Sequence, residues 1–234
     1  MKKIPVLITF LFIISSVSGQ VKKPQNLPGF DYKRLHFGFT VGLNTMDFGI
    51  RRPANSLNDT SIFADVSRIS PGFQVSIVSD LRLADYFSLR FLPGITFGQR
   101  SIYFYRGARG NAPLDKELQL ESNFIDFPLL VKYKSKRVNN YAPYFVAGGT
   151  IRYDLAARKD YESDTEIYVR LKPLDYYFEI GFGIDTYLQY FKFSPELKLS
   201  TGFRNVIVSD KLDQYNSSIN RLNSYIVMLC FHFE

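Results

Sequence analysis

From Leu35 to Phe48 the chain reads LHFGFTVGLNTMDF. Phe37, Phe39, Val41 and Leu43 are bulky and apolar, whereas His36, Gly38, Thr40, Gly42 and Asn44 between them are small or polar. Successive side chains of a β-strand point to opposite faces, so this pattern predicts a strand with one hydrocarbon face and one compact polar face. The period of two recurs along the chain. Ile69–Val78 sets Phe73, Val75 and Ile77 against Gly72, Gln74 and Ser76; Phe87–Phe97 sets Phe87, Leu89, Phe91, Ile95 and Phe97 against Arg90, Gly94 and Thr96. Phe124–Lys134, Tyr141–Tyr153, Tyr176–Tyr187, Lys192–Phe203 and Ser224–Phe233 repeat it, giving eight strands. Each is about the length that a tilted strand needs to cross a bilayer.

The connections alternate in length. They are short at Ser79–Tyr86, Ser135–Asn140 and Leu188–Phe191, and long at Gly49–Arg68, Ser101–Asn123, Asp154–Asp175 and Arg204–Asn223. Short turns at one end and long loops at the other, with an even strand count, describe an all-β, eight-stranded antiparallel transmembrane outer-membrane β-barrel of up-and-down topology. Both chain ends then fall on the short-turn side, the periplasm. A soluble lipocalin-like barrel or β-sandwich is the rival, but it wants a charged exterior. Eight strands enclose a lumen just wide enough for side chains to fill. Small residues interleaved with charges suit that lumen, and Phe, Leu and Ile suit lipid. Tyrosines near strand ends, among them Tyr133, Tyr141, Tyr176 and Tyr187, fit interfacial girdles. Pro93 falls inside the third strand and predicts a bulge there.

The N-terminus adds a basic start at Lys2 and Lys3, an apolar run Val6–Ile14, and small residues Val17-Ser18-Gly19 before Gln20. It reads as a secretory signal peptide over 1–19, whose removal lowers the formal charge of +7 by two. Residues 20–34 then form a periplasmic N-terminal segment, extended by Pro24 and Pro28, and 35–234 the barrel domain. A single cysteine, Cys230, excludes an internal disulfide framework.

Candidate chemistry is sparse. Catalytic, metal and cofactor sites are all expected to be absent. His36, Cys230 and His232 share the polar frame near where the first and last strands must meet, but polar packing accounts for them better than a metal. The Gly181-Phe182-Gly183 pair lacks the third glycine and following helix of a phosphate cradle. Sequons at Asn58 and Asn216 are read as chance. No serine stands beside a histidine as a nucleophile would.

The inward-facing charges Arg90, Asp126, Lys132, Arg152, Glu179, Asp185, Glu196 and Lys198 form a set. Buried charges must pair, so they predict a salt-bridge network that plugs the lumen. Near the long-loop rim Arg51, Arg52, Arg100, Arg106, Arg109, Arg158, Arg204 and Arg221 gather. Guanidinium forks match phosphates, which makes Arg106 and Arg109 candidate lipopolysaccharide contacts. Nucleic acid is not an expected partner.

NLPGFD at Asn26–Asp31, HFGFTVGLNTMDF at His36–Phe48, FIDFPLLVKYK at Phe124–Lys134 and the Phe-rich last strand are similar to PorT-family proteins, over most of the mature chain. That resemblance implies an outer-membrane barrel required for type IX secretion, which exports proteins bearing a C-terminal sorting domain, including surface proteases and gliding adhesins. It transfers no catalytic residue. The chain is expected to be a non-enzymatic accessory acting through other secretion components. The alternatives are a stand-alone small porin-like protein with a structural or adhesion role and, more remotely, a barrel enzyme acting on lipids.

Overall fold

A computed structural model of the chain describes residues 24–51, 62–65, 70–106, 114–158, 170–208 and 219–234. The signal peptide, Arg52, Arg109 and both sequons lie outside these residues, as does the side chain of Arg158. The strands in chain order are β1 Leu35–Arg51, β2 Ile62–Asp65, β3 Ser70–Arg82, β4 Phe87–Phe91, β5 Gly94–Arg106 and β6 Leu114–Lys134. They continue with β7 Tyr141–Asp154, β8 Arg170–Leu171, β9 Leu174–Tyr187, β10 Lys192–Gly202, β11 Ile207–Val208 and β12 Arg221–Phe233. β4 and β5 form one interrupted stave. With it, β1, β3, β6, β7, β9, β10 and β12 close an eight-stave antiparallel ring, because β1 pairs with β3 on one side and β12 on the other. Among the described residues no helix is long and apolar enough to cross a membrane.

The alternation decides which face turns outward. Phe37, Leu43, Ile77, Phe127, Phe182 and Leu197 are exposed on the wall, whereas Thr40, Asn44, Arg90, Glu179 and Ser194 are buried inside. Rings stack across neighbouring strands on the wall, as Phe39 does on Phe233 and Phe73 on Phe97.

Pro93 interrupts its stave without inserting a residue. Ser79 pairs with Phe91 below the break and Val75 with Ile95 above it, four residues further on in both strands. The expected bulge is therefore a two-residue gap in an unshifted register. Proline has no N–H to give to the ladder, yet its carbonyl still accepts from Ile77 N at 2.9 Å, and Leu92 N donates to Pro128 O at 3.2 Å.

The second long connection in the sequence reading, Ser101–Asn123, is mostly strand. β5 and β6 run on as a ladder to Tyr105 opposite Leu114. Beyond about Ser122 the polarity of the wall inverts. Phe48, Ile50, Leu118, Leu120 and Leu222 now turn inward and pack with Ala64, Ile102, Phe104, Val206, Ile207 and Ile219. Asp47, Arg51, Glu117 and Glu121 turn out. Outward hydrocarbon stops where lipid would stop, and the staves continue as a water-facing collar around an apolar lid.

Candidate functional site

The polar interior begins from the inward frame of each stave, and its charges are joined across the ring. Arg90 on β4 reaches Asp80 on β3 at 2.9 Å, Glu196 on β10 at 3.3 Å and Glu234 after β12 at 3.2 Å. Lys192 bonds Glu234 at 2.8 Å, and Lys132 holds both oxygens of Asp185 at 2.9 and 2.8 Å. The Lys132 ammonium also sits 3.8 Å from the centre of the Tyr144 ring, whose hydroxyl donates to Glu196 at 2.9 Å. One layer up, Arg152 on β7 bridges Asp126 at 3.0 Å and Glu179 at 2.6 Å, donates to Ser200 Oγ at 2.9 Å, and lies over the Tyr177 ring. Lys198 completes that layer on Glu179 at 3.1 Å, and Thr96 donates to Asp126.

The structure thus places all eight charges singled out in the sequence inside the ring, in two connected groups. It adds members that the sequence reading did not include. Asp80 extends the polar frame of β3 past Val78, and Lys192 and Glu234 extend those of β10 and β12. Arg100, read as a rim arginine, is instead buried. It donates to Ser122 at 2.8 Å and Ser224 at 3.0 Å, pairs with Asp154 at 3.1 Å, and stacks 4.2 Å over Phe48 beneath the lid. Arg106 stays at the surface, paired with Asp115 at 3.2 Å.

The histidines do not meet. His36 stacks on Phe30 at 4.2 Å, while His232 accepts or donates to Thr40 Oγ1 at 2.6 Å and lies 3.2 Å from Glu196. Thr40, His232 and Glu196 stand in the order of a nucleophile, base and orienting acid. They are 1, 0 and 1 % exposed, and Glu196 is shared with Arg90 and Tyr144. Cys230 accepts from Gln74 Nε2 at 2.9 Å. Among the described residues no three acidic, Cys or His groups form a metal cluster.

The N-terminal segment is not an extended tether. Residues 24–34 fold over the short-turn mouth with a 3-10 turn at Phe30–Tyr32. Asn26 is fixed by Asn140 Oδ1 at 2.9 Å and Tyr187 O at 3.0 Å, and the Arg137 fork bridges Asn140 and the Asn26 carbonyl. Phe30 enters between His36 and Tyr187. Asp31 accepts from Lys134 at 2.5 Å and from Tyr187 Oη at 2.7 Å. Burial alone would raise the Asp31 pKa, but Lys134, Tyr187 and Arg137 outweigh it and hold the carboxyl below the usual carboxylate range. A depressed folded-state pKa contributes stability in full above the unfolded value of 3.8 and loses it as pH falls through the lower folded value. The strap is therefore expected to stay clipped at neutral pH. Asp31→Asn should loosen it there by about 1 kcal/mol, a factor of about five in opening. Faster trypsin cleavage at the exposed Lys33 and Arg34 is the readout.

The sequence matches the family described as outer membrane protein beta-barrel domain over residues 19–208. The chain belongs to this outer-membrane β-barrel family. Its fold resembles that of the neisserial surface protein A at 10 % identity, covering 86 % of this chain and 98 % of that one, with a TM-score of 0.46. It likewise resembles the outer membrane protein OprG from Pseudomonas aeruginosa at 14 % identity, covering 84 % and 94 %, also at 0.46. The outer membrane protein AlkL, solved in DMPC bilayers, aligns at 10 % identity over 92 % and 94 %, with a TM-score of 0.38. No curated protein matches the chain. In this outer-membrane barrel the polar interior is enclosed by a strap at one mouth and an apolar lid at the other.

Proposed function

We propose that this outer-membrane barrel is a non-enzymatic accessory of the type IX secretion system that works through contacts at its rims. The observation that carries the reading is the filled interior. Arg90 ties β4 to β10 on the opposite wall, Lys132 reaches from β6 to β9, and Arg152 and Lys198 clamp Glu179 from the staves on either side of it, and an eight-stave lumen so occupied is too narrow to conduct a polypeptide. What remains for partners is the collar above the lipid, the short-turn rim and the strapped N-terminal segment.

The specific assignment rests on the resemblance of Asn26–Asp31 and His36–Phe48 to PorT-family proteins. Those residues hold the strap and the first stave, so the motif coincides with a built feature of the short-turn mouth. In this reading the short-turn mouth and both chain ends face the periplasm, residues 1–19 are removed on export, and other secretion components dock from that side.

Deleting the gene is expected to leave proteins with C-terminal sorting domains trapped in the periplasm, measured by fractionation and immunoblotting of cargo. Normal export with altered surface adhesion would instead favour a stand-alone structural or adhesion barrel. Lipid turnover by the purified protein would favour an enzyme.

A further inference from the structure

The basic residues of the long-loop rim separate into three kinds. Arg100 is buried and paired with Asp154, and Arg106 is paired with Asp115. Arg51, Arg204 and Arg221 are different: among the described residues none of their guanidinium groups forms an ion pair.

These three converge on one sector of the outer wall. Arg51 ends β1 and Arg221 begins β12, and they are direct cross-strand partners. Both occupy the frame that points out of the ring, as do Phe39, Val41 and Leu43 lower on β1 and Tyr225 and Val227 lower on β12. Like charges directly opposite one another on a sheet face repel. Arg221 leans past the end of β10 and donates to the Phe203 carbonyl, the peptide that precedes Arg204, at 2.7 Å. The Arg204 guanidinium donates to a main-chain oxygen, that of Leu174 at 3.2 Å, while its main-chain N–H donates to Asp175 Oδ1 at 3.3 Å. Asn223 braces the same turn through the carbonyls of Gly202 and Arg204. Within this cluster Arg221 Nε is a buried donor with no acceptor. Such a donor is costly unless something accepts from it. The nearest acid on this frame of β1, Asp47, is four residues down the strand opposite Tyr225, about 13 Å away, and Asp175 beside Arg204 is buried with Oδ1 on the main-chain N–H groups of Tyr176 and Arg204.

Below the arginines and the Asn223 and Asp47 level the wall turns apolar. Phe203 is 60 % exposed, with Tyr225, Val227 and Leu199 beneath it. Guanidinium groups stand just above a tyrosine that marks the hydrocarbon edge. That is the layout of an anionic head group over acyl chains.

We propose that Arg51, Arg204 and Arg221 form a binding site for the phosphomonoester head group of a membrane glycolipid, whose acyl chains lie along Phe203, Tyr225 and Val227. Three cations and an orphaned donor match a dianionic phosphomonoester with several free oxygens better than the single charge of a phosphodiester. The ligand neutralises the Arg51–Arg221 repulsion and gives Arg221 Nε its acceptor. The site requires only the barrel class and stands apart from the secretion reading. It also moves the phosphate contact away from Arg106, which already has an acid.

The test is native mass spectrometry of the full barrel in micelles doped with one of four probes: diphosphoryl lipid A, its dephosphorylated form, phosphatidylglycerol, or inorganic phosphate. The wild type is expected to retain diphosphoryl lipid A, and the triple variant Arg51→Gln/Arg204→Gln/Arg221→Gln to retain it roughly tenfold more weakly. Arg106→Gln/Arg109→Gln should bind as the wild type does. Dephosphorylated lipid and free phosphate should not be retained. Equal retention by the triple variant, or equal retention of phosphatidylglycerol by the wild type, overturns the proposal. A heat-modifiable gel band checks that the triple variant is folded. If it is not, Arg204→Gln alone, which gives up one exposed main-chain bond, should still lower retention, and no loss there also overturns it.

Discussion

Arg152→Leu is expected to destabilise the folded barrel by about 3–5 kcal/mol. The leucine fills part of the space but leaves Asp126 and Glu179 facing each other, and these carboxylates are 5 and 0 % exposed. Removing one partner of a buried charge group costs more than the group contributes as a whole, because the remaining charges stay desolvated. The cost should therefore shrink when the carboxylates are neutralised with it. Arg152→Leu/Asp126→Asn/Glu179→Gln is expected to recover much of the loss, with Lys198 then the charge left over. Urea unfolding in micelles, followed by the heat-modifiable band, measures both variants. An unchanged midpoint for Arg152→Leu would mean that water reaches this layer and that the interior is not the packed polar core described above.

Gly148→Val should be among the most damaging changes at a residue that carries no charge. Gly148 lies on the inward frame of β7 against β6. A Cβ there would come within 2.8 Å of the Leu130 Cα and closer still to the Leu129 carbonyl. Both obstacles are main chain in a closed ring, so neither can move without opening the ladder. Overpacking of this kind costs about 1–3 kcal/mol, and more where nothing yields. The neighbouring Gly149 faces the other way, and its nearest atom would be Tyr177 O at 3.8 Å. Gly149→Val is expected to fold normally. Equal folding yields for the two variants would contradict the assignment of their faces.

How far the sequence could be read follows from what each face touches. Where one face meets lipid and the other a polar lumen, bulk and polarity alternate together, and β1, β9 and β12 are plain in the residues. Where both sides of a strand are covered the contrast disappears. Arg100 to Phe104 are buried without alternation, so the upper part of β5 looked like loop and Arg100 like a rim residue. On β6 the alternation persists but changes phase, from inward Leu118 and Leu120 to outward Ile125 and Phe127. Two opposite phases in one strand look like two elements.

Polar residues of the interior were legible as a set because charges in a narrow lumen have to pair. The pairing itself was not, since Arg90 meets Glu196 and Glu234 from 106 and 144 residues away. The strap was hidden for another reason. Pro24 and Pro28 suggest an extended path, and nothing local announces that Arg137 and Tyr187 from two other turns will hold Asn26 and Asp31.

The long reach of these ion pairs bears on assembly. A half-formed sheet, curled but unsealed, would present Arg90 without Glu196 and Glu234 from the far staves, in surroundings with little water to screen it. Every intermediate short of the complete cylinder is thereby penalised, and β12, whose pairing with β1 closes the ring, carries His232 and is followed by Glu234, both inside. Insertion should accordingly proceed in a single concerted event, with no long-lived partial barrel to be intercepted.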